Sequence, residues 1–172
     1  MLSAVLSKST CADCRFCCSF RRKSLWETPL LPGEFKKAHP TGVSGEPVIY
    51  KAYEYSDGDV NIPYSQTDLT GLYRTDDPEE EVPCPFLDIK KGCALSEKDK
   101  PFDCKIWPLR IMRMPDGRTN ICLTPTCPAI NEVGPERMKA LVKDGLGEKI
   151  RAFAKENPYI VKDYVEGFIV LD

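Results

Sequence analysis

Histidine is almost missing from this chain: His39 is the only one. No Ser-His-Asp set can be assembled around it with any redundancy, so general base chemistry would fall to carboxylates. His39 is followed by Pro40 beside the loop TGVSG, a setting that reads as surface rather than as a metal ligand. Long apolar runs are missing too. No stretch approaches the roughly 20 residues that cross a bilayer, and MLSAVLSKST lacks the basic-then-apolar build of a secretory signal. The expectation is a cytoplasmic protein with no membrane attachment. Charge of one sign is not in surplus either: a formal net charge of -2 and a pI near 5.6 leave no basic field to gather nucleic acid. There is no Walker loop, no G-x-G-x-x-G and no internal repeat. A C-x2-C-H haem motif is excluded because Cys14 and Cys17 are followed by Cys18.

Cysteine is what the chain has in excess, nine in 172 residues. Four of them, Cys11, Cys14, Cys17 and Cys18, fall within CADCRFCC. The other five are Cys84, Cys93, Cys104, Cys122 and Cys127. An odd count leaves a thiol over in any fully oxidised monomer, and a reducing compartment works against disulfides. Packing of small buried thiols explains a lone cysteine but not four in eight positions. A shared metal explains the spacing, because two intervening residues let a tight turn bring sulfurs to one centre. Spacing alone leaves zinc and an iron–sulfur cluster both open, while the Cys-Pro steps at Cys84-Pro85 and Cys127-Pro128 lean toward a cluster. A site built from distant segments makes binding energy into folding energy, so the metal-free protein should be loose. Four thiolates also leave an excess of about two negative charges. Arg15 and Lys105 are the cations proposed to offset it, with Arg21, Arg22, Lys23 and Arg110 also flanking the cysteines.

Fifteen prolines and 11 glycines indicate many turns. The fold class expected is α+β: a small, irregular, loop-rich domain with short β-hairpins and C-terminal helices, organised around a cysteine-bound metal site. The whole chain, 1-172, reads as a single metal-binding domain with a cysteine-bearing region over 11-127 and a C-terminal helical segment over 134-172. Glu34 to Ala38 should be a short helix. EPVIYKAYEYSDGDVNIPY alternates about S-D-G-D and predicts a hairpin, with Tyr50, Tyr53, Tyr55 and Tyr64 packing on sheet faces. TDDPEEEVP predicts an exposed, mobile acidic connector. Phe86, Leu87 and Ile89 suggest a strand before a K-K-G turn, and Ser96 caps a helical turn to Lys100. RIMRMPDGRTNICLT predicts a second hairpin with Ile111, Met112, Ile121 and Leu123 inward. From Pro135, Met138, Leu141, Val142, Ile150, Phe153 and Ala154 recur at helical spacing, and YIVKDYVEGFIVLD ends in a short strand or buried tail.

The blocks CADCRFCC, CPFL at Cys84, KKGCAL at Cys93, KPFDCKIWP around Cys104 and TCPAI at Cys127 occur in the order seen in the YkgJ-type family of zinc- or iron-chelating cysteine-cluster domains. The sequence resembles that family from Cys11 to Cys127. Lys100 and Lys105 stand where the family has arginines, and Trp107 where it has tyrosine; charge is kept but the planar guanidinium fork is lost. The resemblance implies Cys11, Cys14, Cys17, Cys18, Cys84, Cys93, Cys104 and Cys127 as metal ligands. Eight cysteines are enough for two four-thiolate sites or for one cluster with a second partial site. Vicinal Cys17 and Cys18 are expected to point apart, so that they serve different sites or one of them lies behind the ligands, and Cys122 is the spare thiol. A [4Fe-4S] iron–sulfur cluster with a redox or modification-assisting role follows, shielded by Phe16, Phe86, Phe102 and Trp107. The alternative is a zinc-stabilised module that binds a protein partner. No catalytic residue is assigned. Asp13, Asp88 and Asp103, beside the cysteines, read as surface acids, with the alternative that Asp103 orients a donor behind the ligands.

Overall fold

The computed structural model of the chain describes residues 13–22 and 27–172. Its fold is α+β, with small sheets and short helices. No helix among the described residues is long and apolar enough to cross a membrane. The chain separates into two compact units, one over Ser7–Phe102 and the other containing Asp103–Asp172.

In the first unit the hairpin expected about S-D-G-D is present. Strand β3 (Tyr50–Asp57) pairs antiparallel with β4 (Val60–Thr67). Gly58 opens the two-residue turn at φ 58°, the positive value a primed hairpin turn requires at that position. Tyr53 and Tyr64 face each other across the ladder and stack with ring centroids 5.2 Å apart. Strand β2 (Leu31–Pro32) adds to the other side of β4, giving the order β2-β4-β3. Helix α1 (Phe35–Ala38) follows and buries Phe35. Leu31, Phe35 and Phe86 form a small core, with Val48, Tyr50, Cys84 and Leu95 packed on it. A second ladder joins β1 (Ser19–Phe20) to β5 (Val82–Pro83). A third, β6 (Leu87–Asp88) with β7 (Gly92–Cys93), closes the K-K-G turn. The strand expected to run through Ile89 stops short: Asp88 accepts the backbone N–H groups of Lys90 (2.8 Å) and Lys91 (2.9 Å), and Ile89 is left on the outside of that turn, 68% exposed.

The acidic connector is exposed as expected over residues 75–79 and at Glu81, and its glutamates engage neighbouring groups. Glu80 accepts hydrogen bonds from the backbone N–H of Arg74 (2.7 Å) and Thr75 (2.8 Å) and lies 3.6 Å from Arg22. Arg21 pairs with Glu79 at 3.1 Å and also with Glu81. Arg22 bonds the Thr75 carbonyl and covers the Tyr73 ring, 4.3 Å from its centroid. These two arginines, considered above as flanking the cysteines, are engaged by the connector instead.

In the second unit the other expected hairpin, β8 (Leu109–Arg113) with β9 (Thr119–Leu123), turns at P-D-G with Gly117 at φ 84°. Ile111, Met112, Ile121 and Leu123 are all buried. Helix α2 (Phe102–Ile106) leads into this hairpin through a cis Trp107-Pro108 bond. After it come α3 (Pro128–Val133), α4 (Pro135–Leu141) and α5 (Gly147–Glu156). Gly134 (φ 85°) separates α3 from α4, and Pro135 occupies the first-turn position that needs no N–H. Between α4 and α5 the backbone leaves helical geometry at Asp144 and Gly145. Met138, Val142, Leu146, Ile150 and Ala154 are nevertheless buried along one side, as the 3.6-residue period requires. Of the segment 134–172 read as helical, the α-helices end at Glu156 and a 3-10 turn follows over Pro158–Ile160. The end of the chain is a short strand, as its apolar run suggested. The tail supplies β10 (Lys162–Asp163), parallel to β8, and β11 (Ile169–Val170), antiparallel to β9, for a sheet ordered β10-β8-β9-β11. The β-branched pair Ile169 and Val170 suits the strand conformation that β9 completes.

Candidate metal centre

The cysteines of the first unit arrive from three loops. Phe16–Cys18 is a single 3-10 turn entered through Arg15 in the left-handed region, φ 51°. Only a tight reversal sets the chain up for such a turn, and an arginine there is uncommon. The turn delivers Cys18 to the end of the β1–β5 ladder, where the Cys84 N–H donates to the Cys18 carbonyl at 2.7 Å. Cys84 then begins a turn closed by the Leu87 N–H on its own carbonyl, 2.9 Å. Leu87 sits opposite Cys93 in the β6–β7 register, and the Ala94 N–H reaches back to the Phe86 carbonyl at 2.8 Å. Two short ladders sharing the Cys84–Leu87 turn therefore carry Cys18, Cys84 and Cys93 toward one another. The loop holding His39 supports this turn from outside. Val43 donates to the Pro85 carbonyl (2.9 Å), and Gly42 lies so close that a Cβ there would stand 2.7 Å from that oxygen. His39 packs its ring on Phe35 (4.4 Å) and edge-on to Phe86 (5.9 Å).

The electrostatics of the thiols record the same convergence. The Cys17 side chain hydrogen-bonds that of Cys18, and this bond is the main reason the Cys18 thiol titrates below its ordinary value; burial opposes it and the Lys100 cation assists. Cys17 and Cys18 are thus in contact, where divergent side chains were expected; the tight 3-10 turn ending at Cys18 makes room for it. Burial pushes Cys84 up to about 12, against a hydrogen bond from the Phe86 N–H, and the charges of Cys18 and Cys93 add to the rise. Burial also raises Cys93, against the Leu95 N–H and Lys100, with Cys18 and Glu97 opposing ionisation. In both cases the donor to sulfur is the amide two residues on, in C-P-F and C-A-L. Phe86 is buried in the core and Leu95 packs against it, so the hydrophobic residue that anchors the loop also aims its N–H at the thiol.

Lys100, not Arg15 or Lys105 as expected, is the cation whose charge reaches these thiols. It is held by Glu97 at 3.0 Å, and its charge reaches both Cys18 and Cys93. Its signal was its place in the K-P step where the related pattern has arginine. Asp88 closes the β6–β7 turn. Asp103, expected at the surface, is 3% exposed and bonded to Arg110 at 2.6 Å, because the helix α2 that carries it turns that side inward against β8. Arg110 in turn stands over the Trp107 ring, 5.1 Å from its centroid.

All eight described cysteines are thiols and none is in a disulfide. In the first unit Cys17 hydrogen-bonds Cys18, and the charges of Cys18, Cys84 and the exposed Cys93 act on one another. Cys14 is exposed at the start of the same segment, and Cys11 lies outside the described residues. In the second unit Cys104 is exposed on α2, while Cys127 is buried as the residue preceding α3. Cys122 is fully buried in β9 with Met112 and Phe168, its thiol raised to about 11 by burial, with Asp172 adding. Among the described residues no group of three or more His, Cys, Asp or Glu side chains is arranged to hold a metal ion. The donor chemistry nevertheless fits a thiolate-held centre: the amide donors on the Cys84 and Cys93 sulfurs and the Lys100 ammonium are groups that offset the excess charge of such a site.

Comparison with family models, with curated proteins and with solved structures finds no match.

Proposed function

We propose that the protein is a cysteine-ligated metal protein in which Cys17, Cys18, Cys84 and Cys93 hold an iron–sulfur cluster of the [4Fe-4S] kind, serving electron transfer or assisting a modification reaction. What supports this is that Cys18, Cys84 and Cys93, from three segments, lie close enough for their charges to act on one another, with the Phe86 and Leu95 N–H groups on Cys84 and Cys93 and the Lys100 charge reaching Cys18 and Cys93. The blocks shared with the YkgJ-type pattern support the same reading, and on that resemblance Cys11, Cys14, Cys104 and Cys127 are further ligands. A bound cluster would supply a one-electron couple, whose potential responds to hydrogen bonds on sulfur and to solvent access. The chain's own part is to release the thiol protons as the metal binds, to stabilise the thiolates through those donors, and to keep water from Cys84 with the Phe86 core.

Anaerobic purification followed by iron and acid-labile sulfide analysis tests this. Iron with sulfide and a broad absorbance near about 400 nm is the expected result. A colourless protein with stoichiometric zinc would replace the cluster by the second reading, a closed zinc-thiolate module whose surface binds a protein partner. That reading is favoured by the paired amide donors at C-P-F and C-A-L, which serve a single tetrahedral ion equally well.

A further inference from the structure

Strand β3 is the long edge of the first unit. It is eight residues, carries no proline, and keeps unbroken register with β4 from Tyr50↔Thr67 to Asp57↔Val60. Among the described residues no strand pairs with its outer side, whereas β2, β10 and β11, at the other sheet edges, are each two residues long. Open edges are ordinarily shortened, bulged or interrupted, since a row of unpaired amides recruits another strand. β3 is neither shortened, bulged nor interrupted; the only edge protection it carries is the charge of Lys51, Glu54 and Asp57.

The register says which groups are open. Asp57 and Val60 close the two-residue turn as a hydrogen-bonded pair, so alternation directs the amides and carbonyls of Lys51, Tyr53, Tyr55 and Asp57 to β4 and those of Tyr50, Ala52, Glu54 and Ser56 outward. The partner strand agrees. Pro63, opposite Glu54, has no N–H to give β3, and its carbonyl turns the other way to accept the Gly33 N–H at 3.1 Å.

We propose that β3 pairs antiparallel with β3 of a second copy of this chain, about a two-fold axis at Tyr53. With that axis the outward groups of Ala52 meet those of Glu54, and Tyr50 meets Ser56. Lys51 faces Tyr55 and lies diagonal to Asp57, so a cation falls between an aromatic ring and a carboxylate. Glu54 faces Ala52, and no like charges stand directly opposite, which is the complementarity an antiparallel pair needs. Tyr53, 40% exposed, stacks on its own symmetry mate. The joined sheets are one six-stranded surface with both long edges consumed. The pairing does not depend on the metal centre.

Sedimentation or light scattering of the full chain across a concentration series tests it. The wild type dimerises, and Ala52→Pro, which removes an outward N–H while leaving the β4 ladder intact, weakens dimerisation by about tenfold or more with unchanged circular dichroism. Should Ala52→Pro fail to fold, Tyr53→Cys decides: a non-hydrogen-bonded antiparallel pair brings Cα atoms to about 4.5 Å, within the range a disulfide bridges, so mild oxidation gives a reducible dimer whose cross-link maps to position 53. A wild type that stays monomeric at every concentration, including one that pairs only with a peptide from another protein, overturns the proposal, as does a dimer that Tyr53→Cys does not cross-link.

Discussion

Asp103 and Arg110 form the most thoroughly buried charge pair among the described residues: 2.6 Å apart, with side chains 2% and 5% exposed. Removing one partner strands the other's charge in the interior, a change that costs about 3–5 kcal/mol. Arg110 has a second contact, the Trp107 ring at 5.1 Å, but a cation–π contact contributes about 2 kcal/mol at most where desolvated and does not replace a carboxylate. Asp103→Asn should therefore destabilise the second unit by about 3 kcal/mol or more, against a whole-domain stability on the order of 5–15 kcal/mol. In a chain of this size that lowers the thermal midpoint by roughly 6–20 °C. The paired replacement Asp103→Leu with Arg110→Met removes both charges and keeps apolar volume, and should recover most of the loss. The assay is urea unfolding of wild type, Asp103→Asn, the single variants Asp103→Leu and Arg110→Met, and their double, followed by Trp107 fluorescence in a Trp26→Phe background. A coupling energy near zero, with Asp103→Asn costing less than about 1 kcal/mol as exposed pairs do, would refute the claim that this pair is held dry.

Phe86→Ala should cost about 3–5 kcal/mol in metal-free stability and lower metal content as well, because the same residue fills the core and aims its N–H at Cys84; hydrogen exchange at the residue 86 amide reads the second effect. In metal-free protein, iodoacetamide should label Cys18 well before Cys84, mapped by mass spectrometry, since one thiol is lowered and the other pushed up to about 12. Cys84 is neutral when folded, so its contribution is fully present below the ordinary thiol value of about 9 and is lost as pH rises from there toward about 12; a stability profile flat over that window would contradict it. Gly42→Ala should displace the 41–45 loop from the Cys84-Pro85 step, seen as a shift in the Val43 amide resonance, because the added methyl meets a backbone oxygen that cannot swing away. Cys122→Ser should leave metal content unchanged yet cost about 1–3 kcal/mol, the expense of putting a hydroxyl into the Met112 and Phe168 core.

The local grammar of the chain settled much on its own. Alternation about S-D-G-D and P-D-G specifies both hairpins, since Gly58 and Gly117 supply the positive φ their turns require, and the helical spacing of Met138, Val142, Ile150 and Ala154 marks a face that has to be buried. What depended on long-range pairing was out of reach. That Cys18 meets Cys84, that Lys100 rather than Arg15 or Lys105 is the cation brought to Cys18 and Cys93, and that Arg21 and Arg22 are claimed by Glu79, Glu80 and Glu81 follow from which ladders close. Two-residue strands such as β1, β5, β6 and β7 have too little periodicity to leave a trace in sequence. The burial of Asp103 and the addition of the tail to β8 and β9 are of the same kind: the residues involved have polar or ambiguous neighbours, and only the packing of the finished unit gives each its partner.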